Sequence, residues 1–240
     1  MNYLIRVADI NISIHSINDI DNKNIKEYII DDSVPPDIEV FSSNFMIEKE
    51  YQRQSKLDDD IASLSSIEAL MIQRTIAERL PDFDAFLLHG AAIAVHNAVY
   101  IFSAKSGTGK TTHIRHWLDR IDNVLVVNGD KPYILINENG AFACGTPWCG
   151  KEDMGTNIIL PLRSIVFMER STENRMEKVS FKTILPKLLE QTYHPSGDAQ
   201  MRKTLKLLLK LQDFVSFYIF HFDNYKEDVF RVSYDTLTEQ

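Results

Sequence analysis

The stretch that decides how this chain is interpreted is SAKSGTGKTT at positions 103–112. It approaches the pattern GxxxxGK[ST], in which backbone NH groups surround phosphates, a Lys reaches the terminal ones and a Ser or Thr hydroxyl binds magnesium. The tripeptide Gly109-Lys110-Thr111 fills the last three places, whereas Ala104 stands where the pattern has its first glycine. Ala fits there if its φ is negative, and Gly107 adds freedom inside the loop. The alternative is a Gly-rich turn that only connects a strand to a helix.

Both flanks of this loop have the pattern that a phosphate site needs. Residues 98–102 form a short apolar run rich in β-formers, which predicts a buried strand. Apolar residues then recur with helical spacing and predict a helix beginning near Lys110; they are Ile114, Trp117, Leu118 and Ile121. A helix N-terminus aimed at the loop supplies free NH groups and a partial positive charge. The residues predicted to contact a nucleotide are Ser106, Gly107, Thr108, Gly109, Lys110, Thr111 and Thr112.

Composition predicts a cytoplasmic α/β protein. The 240 residues are 44% hydrophobic and 25% charged, which is ordinary for a globular chain that buries a sizeable core. With 26 Lys and Arg against 34 Asp and Glu, the net charge of −8 argues against nucleic acid as a partner. We see neither a signal peptide nor a run long enough to span a membrane. Cys144 and Cys149 are too few for a disulfide framework or a zinc site, so we expect reduced thiols.

The first third of the chain predicts a small N-terminal β/α subdomain, residues 1–84, without a catalytic signature. Loose alternation predicts one or two strands in 3–15 and a strand pair in 38–50, and a helical stripe covers 65–80 up to a proline. The acidic run Asp58-Asp59-Asp60 is interpreted as a solvated loop, with a cation site as the alternative.

Residues 85–240 are predicted to form the core that carries the loop. Strands are expected at 86–95, 123–127, 164–168 and 215–220, with a hairpin whose type I′ turn lies at Glu138-Asn139-Gly140. Helices are expected at 183–191, at 199–211 and from about Lys226. We expect Leu205, Leu208 and Leu209 to pack inward.

Two side chains near the loop are candidates for chemistry. Asp130 follows the strand at 123–127, where ligands of α/β sheets collect, and its carboxylate suits either a magnesium ion or the proton of an incoming hydroxyl. The alternative is that Asp130 is only a turn residue before Lys131. His89 lies on the strand before the loop strand and suits an acid, a base or a charge stabiliser. The alternative, which the sequence supports equally, is that His89 is a buried core residue whose ring is hydrogen-bonded.

A further loop, residues 145–152, combines two glycines, a Trp and a Lys, which is more than a simple connection between strands requires. Trp148 is a candidate to line the site of a base or substrate, and Lys151 is a candidate to neutralise phosphate charge. The alternatives are that Trp148 is a buried anchor and that Lys151 is a solvated surface residue. His113 and His116 stand three apart on the predicted helix; we favour a solvated helix face over a metal site.

The pair His89-Gly90, the run 106–112 and Asp130 together resemble the HPr kinase/phosphorylase family, whose loop is similar to that of phosphoenolpyruvate carboxykinases. The likeness covers roughly residues 85–170. It implies an α/β fold with a mixed sheet, flanking helices and a P-loop, and a magnesium-dependent kinase using ATP, or GTP. It also implies catalytic roles for His89, Lys110 and Asp130, and magnesium ligation by Thr111 and Asp130.

The resemblance extends to the acceptor. In that family the acceptor is a serine hydroxyl, and short relatives phosphorylate serine on peptides such as lasso-peptide precursors, which implies a peptide or small protein as substrate. Its members form oligomers, so a homo-oligomer is compatible with it. Where the family has two adjacent acids, this chain has Gly129-Asp130, so either one carboxylate serves both purposes or Glu152 supplies a second ligand. Two rivals are a nucleotide-binding regulator that transfers no phosphate and a kinase acting on a small-molecule hydroxyl.

Overall fold

The computed structural model describes residues 1–20, 23–56 and 63–238, and for residues 23 and 24 the backbone alone. The acidic run Asp58-Asp59-Asp60, with its two interpretations, lies outside the described residues. Within these ranges, the chain is an α/β protein with a small sheet near its start and a large mixed sheet flanked by helices.

The small sheet begins with a hairpin. Strands β1 (Asn2–Val7) and β2 (Ile10–His15) pair antiparallel around Ala8 and Asp9, whose φ angles are 53° and 61°. β3 (Ile38–Phe41) then pairs parallel with β2. The prediction of strands in 3–15 is confirmed, and it resolves into two.

Two helices follow the small sheet, and the first of them corrects a prediction. The expected strand pair in 38–50 is wrong beyond β3, because the Ser43 hydroxyl accepts a hydrogen bond from the Met46 amide at 3.3 Å and begins helix α1 (Asn44–Gln54). The predicted helix at 65–80 is confirmed as α2 (Leu64–Arg79), and a 3₁₀ turn (Leu80–Phe83) carries the proline.

The large sheet contains nine strands in the described part of the chain: β4 (Ala85–Leu87), β5 (Ala91–Val95), β6 (Ala98–Ser103), β7 (Leu125–Asn128), β8 (Tyr133–Asn137), β9 (Gly140–Cys144), β10 (Ile159–Arg170), β11 (Arg175–Val179) and β12 (Ser216–Phe222). Their order is β4-β8-β9-β10-β6-β5-β7, and β12 pairs with the second half of β10 and carries β11 on its other side. Strand β6 runs parallel to β10 and antiparallel to β5, and β5 runs antiparallel to β7.

Helices cover both faces of this sheet. Along β6, Val99 and Ile101 face the core beneath α4 (Phe181–Gln191) and α5 (Asp198–Leu211). The alternate residues Tyr100 and Phe102 pack towards α3 (Lys110–Leu118) and α6 (Val229–Thr238). Burial on both faces explains why β6 is apolar at almost every position.

The strand predicted at 86–95 is wrong as a single element. The chain leaves β4 at Leu88 and enters β5 at Ala91, and the amides between them bond to other segments: the His89 amide donates to the Gln191 carbonyl and the Gly90 amide to the Asp130 carbonyl, both at 2.8 Å. A Cβ on Gly90 would stand 2.8 Å from Ile101 Cγ2. The break therefore places His89 at the edge of the sheet.

Smaller differences have local causes. Leu208 is buried as predicted, but Leu205 and Leu209 are 39% and 52% exposed because α5 turns them to the outer face. The hairpin of β8 and β9 is confirmed, whereas its type I′ turn is wrong: of residues 138–140 only Gly140 has a positive φ, 144°. The last helix begins at Val229, and β11 had no counterpart in the prediction.

None of the helices in the described ranges has the length and apolar character needed to cross a membrane.

Candidate functional site

The candidate site lies along one edge of the large sheet, where several strands end. Because β6, β7 and β10 run in the same direction, the residues that follow them meet at this edge. β5 runs the opposite way, so the residues that precede it, His89 and Gly90, lie there too. Ligands of open α/β sheets bind at such an edge.

The 103–109 loop connects β6 to α3 with the conformation that the sequence predicts. Gly107 and Gly109 have φ angles of 73° and 118°, which favour glycine, whereas Ala104 is not among the residues with positive φ. Gly109 is the N-cap of α3 and provides no side-chain hydrogen bond, so the first amides of the helix are available to an anion. The helix dipole favours negative charge at the same place.

Lys110 folds back over this loop. Its ammonium donates to the Ala104 carbonyl at 2.9 Å and lies 3.5 Å from His89 Nε2. Burial lowers the pKa of Lys110, and the negative charge of Asp130 opposes that effect. A cation held by a carbonyl at the entrance to free amides is placed to contact a terminal phosphate.

His89 and Asp130 form the second part of the site. His89 Nε2 lies 3.2 Å from Asp130 Oδ1, while Lys131 Nζ lies 3.7 Å from the other carboxylate oxygen. Burial would raise the pKa of Asp130, but the hydrogen bond from His89 and the charges of Lys131, His89 and Lys110 outweigh it and lower the pKa. The carboxylate is therefore ionised at neutral pH and is available to a metal ion or a proton.

Asn128, which the sequence prediction missed, holds Asp130 in place. This fully buried side chain accepts hydrogen bonds from the Asp130 and Lys131 amides at 2.9 and 2.6 Å. Its amide nitrogen donates to the Thr146 and Trp148 carbonyls at 3.1 and 3.3 Å. One side chain thus joins the turn after β7 to the 145–150 loop. An amide at a strand end, two residues before a candidate acid, is the sequence signal that points to it.

Arg170 and Asn224 support the 103–109 loop from behind, and neither was predicted. Arg170, the last residue of β10, donates to the Gly107 and Thr108 carbonyls at 2.6 and 3.1 Å. Asn224 donates to the Gly109 carbonyl at 3.1 Å. Arg170 ends β10, which neighbours β6, and Asn224 follows β12, which neighbours β10. Their partners lie more than 60 residues away, so no local pattern indicates them.

The predicted substrate residues border the same cleft in different ways. Trp148 is 7% exposed, and its indole nitrogen donates to the Ala69 carbonyl at 3.1 Å, so most of the ring packs in the N-terminal core. Lys151 is exposed. Glu152, considered as a metal ligand, pairs with Arg115 at 2.6 Å.

The two helix histidines differ from expectation. His113 is fully buried between Phe102 and Phe220, and its Nε2 accepts from the Trp117 indole at 3.2 Å. The prediction of a solvated face is therefore wrong for His113. His116 is partly exposed, and its Nε2 lies 3.3 Å from the Asn224 carbonyl oxygen.

An open cleft of about 1200 Å³ joins the predicted residues. It is bordered by the loop, by the start of α3, by the Asp130 turn and by α2 of the N-terminal part. The cleft residues that were predicted from sequence are His89, Ser106, Gly107, Gly109, Lys110, Thr111, Thr112, Asp130, Trp148 and Lys151. Thr108 faces a smaller cavity on the other side of the loop.

The donor atoms in the cleft suit a magnesium ion that is shared with a phosphate. Thr111 and Asp130 both border the cleft and offer a hydroxyl and a carboxylate, which are the oxygen ligands that magnesium prefers. Magnesium usually takes one or two protein ligands and completes its shell with water and phosphate oxygens. Consistent with this, no group of three or more His, Cys, Asp or Glu side chains in the described ranges is placed to hold a metal.

Comparisons with known proteins add little to this geometry. No protein-family model matches the chain, and no curated protein matches it in sequence. A solved structure of the Hpr(Ser) kinase/phosphatase from Coxiella burnetii is similar at 9% identity and a TM-score of 0.31, over 53% of this chain and 94% of that chain. A similarity at that level does not establish a shared fold or activity.

Proposed function

We propose that this chain is a magnesium-dependent kinase with an HPr kinase-like P-loop core, residues 85–240, that transfers the γ-phosphoryl group of ATP or GTP to a serine hydroxyl of a peptide or small protein. The observation that carries the proposal is the meeting of a free helix N-terminus, Lys110 and the Asp130–His89 pair within one open cleft. Serine as the acceptor rests on the resemblance of the His89-Gly90 pair and the 106–112 run to that family.

Phosphoryl transfer needs positioning and charge stabilisation more than covalent chemistry. The loop amides and Lys110 bind the phosphates, and Thr111 and Asp130 would hold magnesium, which would neutralise phosphate charge. The acceptor oxygen bonds to the γ-phosphorus as the bond to the nucleoside diphosphate breaks. Asp130 accepts the hydroxyl proton and releases it to water. His89 keeps the carboxylate ionised and oriented through the 3.2 Å contact.

The acceptor is expected to bind beside the phosphates, against the cleft residues that lie outside the loop. Those residues include Trp148 and Lys151, and Leu70 and Arg74 of α2. The N-terminal part would thus form the acceptor wall, although its sequence has no catalytic signature. A serine in an extended segment reaches such an open cleft more readily than a serine within a helix.

Asp130→Asn tests the proposal. Labelled ATP and GTP are incubated with magnesium and candidate serine peptides, and acceptor mass and released phosphate are followed. We expect transfer by the wild type and a loss of at least about 100-fold in Asp130→Asn, as for removal of a general base. Asp122→Asn, an exposed carboxylate outside the cleft, is the matched control and should transfer normally.

The outcomes separate the alternatives. Undiminished transfer in Asp130→Asn would remove Asp130 from the mechanism. Nucleotide binding without transfer to any peptide or small hydroxyl compound would favour the regulator, for which the single acid of Gly129-Asp130 and the presence of Ala104 in the loop are the supporting features.

A further inference from the structure

Outside the loop that precedes α3, three cationic side chains border the open cleft: Arg74, Lys131 and Lys151. The two lysines belong to segments that contact Asp130. Lys131 follows it in the chain, and its Nζ lies 3.7 Å from Asp130 Oδ2. Lys151 follows Gly150, where a Cβ would stand 2.8 Å from Asp130 Cβ. An acceptor hydroxyl that reaches Asp130 therefore enters a part of the cleft that carries two lysines.

Of these cations, Lys131 has donors that are not yet used. Its ammonium donates to Gln73 Oε1 of α2 at 3.3 Å, whereas its distance of 3.7 Å to Asp130 Oδ2 is longer than a hydrogen bond. An ammonium group has three donors, so within the described part of the chain two remain for a group that enters the cleft. The Lys131 side chain is 30% exposed, and partial burial reduces the screening of its charge. Arg74, by contrast, already contacts Glu50 at 3.0 Å.

The three cations outnumber the carboxylates that border the cleft beside Asp130. These carboxylates are Glu152 and Asp153, and Arg115 pairs with Glu152 at 2.6 Å. Lys151 is exposed and forms no ion pair with any residue that the structure describes. Since the whole chain carries a net charge of −8, the lysines also reduce its repulsion of an acidic partner near the site. This charge pattern favours a partner that brings carboxylates.

We propose that the acceptor is an acidic segment, in which Asp or Glu residues one or two positions from the serine pair with Lys131 and Lys151. Residues of an extended chain advance by about 3.3–3.6 Å each, so carboxylates at that spacing reach the surroundings of Asp130 while the serine hydroxyl lies at its carboxylate. The role of the serine rests on the proposed kinase function, whereas the binding of an acidic segment does not.

Binding is measured without transfer, by fluorescence anisotropy of the full chain with magnesium and ADP. The probes are extended peptides in which Ala replaces the serine and is flanked by Glu, by Gln or by Lys. Each half-exposed ion pair contributes about threefold, so the wild type should prefer the Glu peptide to the Gln peptide by about tenfold. The preference should shrink as salt is added, because salt screens the charges.

Variants assign this preference to the two lysines. Lys131→Met and Lys151→Met should each retain a preference of about threefold, and the double variant should lose it. Lys131→Arg keeps the charge and should keep the preference, and Lys151→Glu should move it towards the Lys peptide. Lys206→Met, at an exposed position on α5 outside the cleft, is the matched control and should behave as the wild type.

Three results would overturn the proposal. They are equal binding of the Glu and Gln peptides by the wild type, no binding of any peptide, and an undiminished preference in both Lys131→Met and Lys151→Met. If the variants bind ATP more weakly while their peptide preference is unchanged, the lysines serve the phosphates instead. Where Lys131→Met does not fold, Lys151→Met and Lys151→Glu decide.

Transfer to the serine versions of the peptides separates this proposal from the kinase function. With the wild type, kcat/KM for the Glu peptide should exceed that for the Gln peptide by about tenfold, mainly through KM. Acid-dependent binding that is never followed by transfer would refute the kinase function and leave the acidic segment as the ligand. Transfer without a preference for Glu would refute the acidic segment and leave the kinase.

Discussion

At the scale of single residues, the candidate site depends on side chains that hold other side chains. Asn128 fixes the backbone of Asp130, and Arg170 fixes the carbonyls of the 103–109 loop. The residues predicted to touch phosphate could be found from sequence because the motif is local. Arg170 and Asn224 could not, since their partners are brought near only by the sheet.

His113 gives a residue-scale prediction about pH. Burial, with a smaller effect of nearby His116, lowers the pKa of His113 to about 3, against about 6.5 in the unfolded chain. Below that unfolded pKa only the unfolded state binds the proton, so stability falls as pH drops towards 3. At pH 5 the loss is about 2 kcal/mol.

Denaturant unfolding of the wild type and His113→Gln at pH 7 and pH 5 measures this loss. Gln keeps an acceptor for the Trp117 indole, and the variant should lose about 2 kcal/mol less stability between the two pH values. An equal loss in both proteins would contradict the assignment of the pH effect to His113.

At the scale of elements, the break between β4 and β5 and the 145–150 loop bring His89 and Asp130 together. The apolar residues at 86–95 predicted one strand, because hydrophobic pattern reports burial but not the partner with which a strand pairs. Elements whose own residues show a clear apolar pattern, such as α2, α3 and β6, were predicted with bounds close to the observed ones. α1 was missed because its mixed pattern does not distinguish a helix from a strand, and its Ser43 cap was not considered.

Gly150 tests how closely the 145–150 loop approaches Asp130. Its φ is 78°, and a Cβ there would stand 2.8 Å from Asp130 Cβ. Gly150→Ala should lower transfer by about tenfold or more, since a small displacement of a catalytic group is costly. It should also lose about 1 kcal/mol of stability or more because of the positive φ.

Gly140→Ala is the matched control, because Gly140 also has a positive φ, 144°, but its nearest atom is Phe142 Cε2 at 3.9 Å. The control should lose stability and keep full transfer in the peptide assay. Equal transfer by both variants would show that the loop does not constrain Asp130.

At the scale of the whole molecule, the predicted boundary between residues 84 and 85 divides the sequence into two parts. It does not imply that the two parts fold independently. Trp148, Tyr133 and Leu87 of the second part pack in the same buried cluster as Ile72 and Ile76 of α2. Because this core draws on both parts, we expect them to unfold in one cooperative transition.

The two tryptophans report on different cores and so test this expectation. Trp148 lies in the N-terminal core, and Trp117, a residue of α3, lies in the core that α3 and α6 form with the large sheet. In Trp117→Phe and Trp148→Phe, the remaining fluorescence transition should coincide with the circular dichroism transition of the same variant. Separate midpoints within either variant would show that the parts unfold independently.

The central claim is that the amides at the start of α3 and the Lys110 ammonium bind the phosphates of a nucleotide. Titration of the wild type with ATP and GTP, with and without magnesium, by calorimetry tests it most directly, beside Lys110→Ala and the exposed control Lys206→Ala. We predict saturable, magnesium-dependent binding by the wild type and the control. Binding should weaken by at least about tenfold in Lys110→Ala, the loss expected for a hydrogen bond to a charged group. Failure of the wild type to bind either nucleotide with magnesium, or equal binding by Lys110→Ala, would contradict the account.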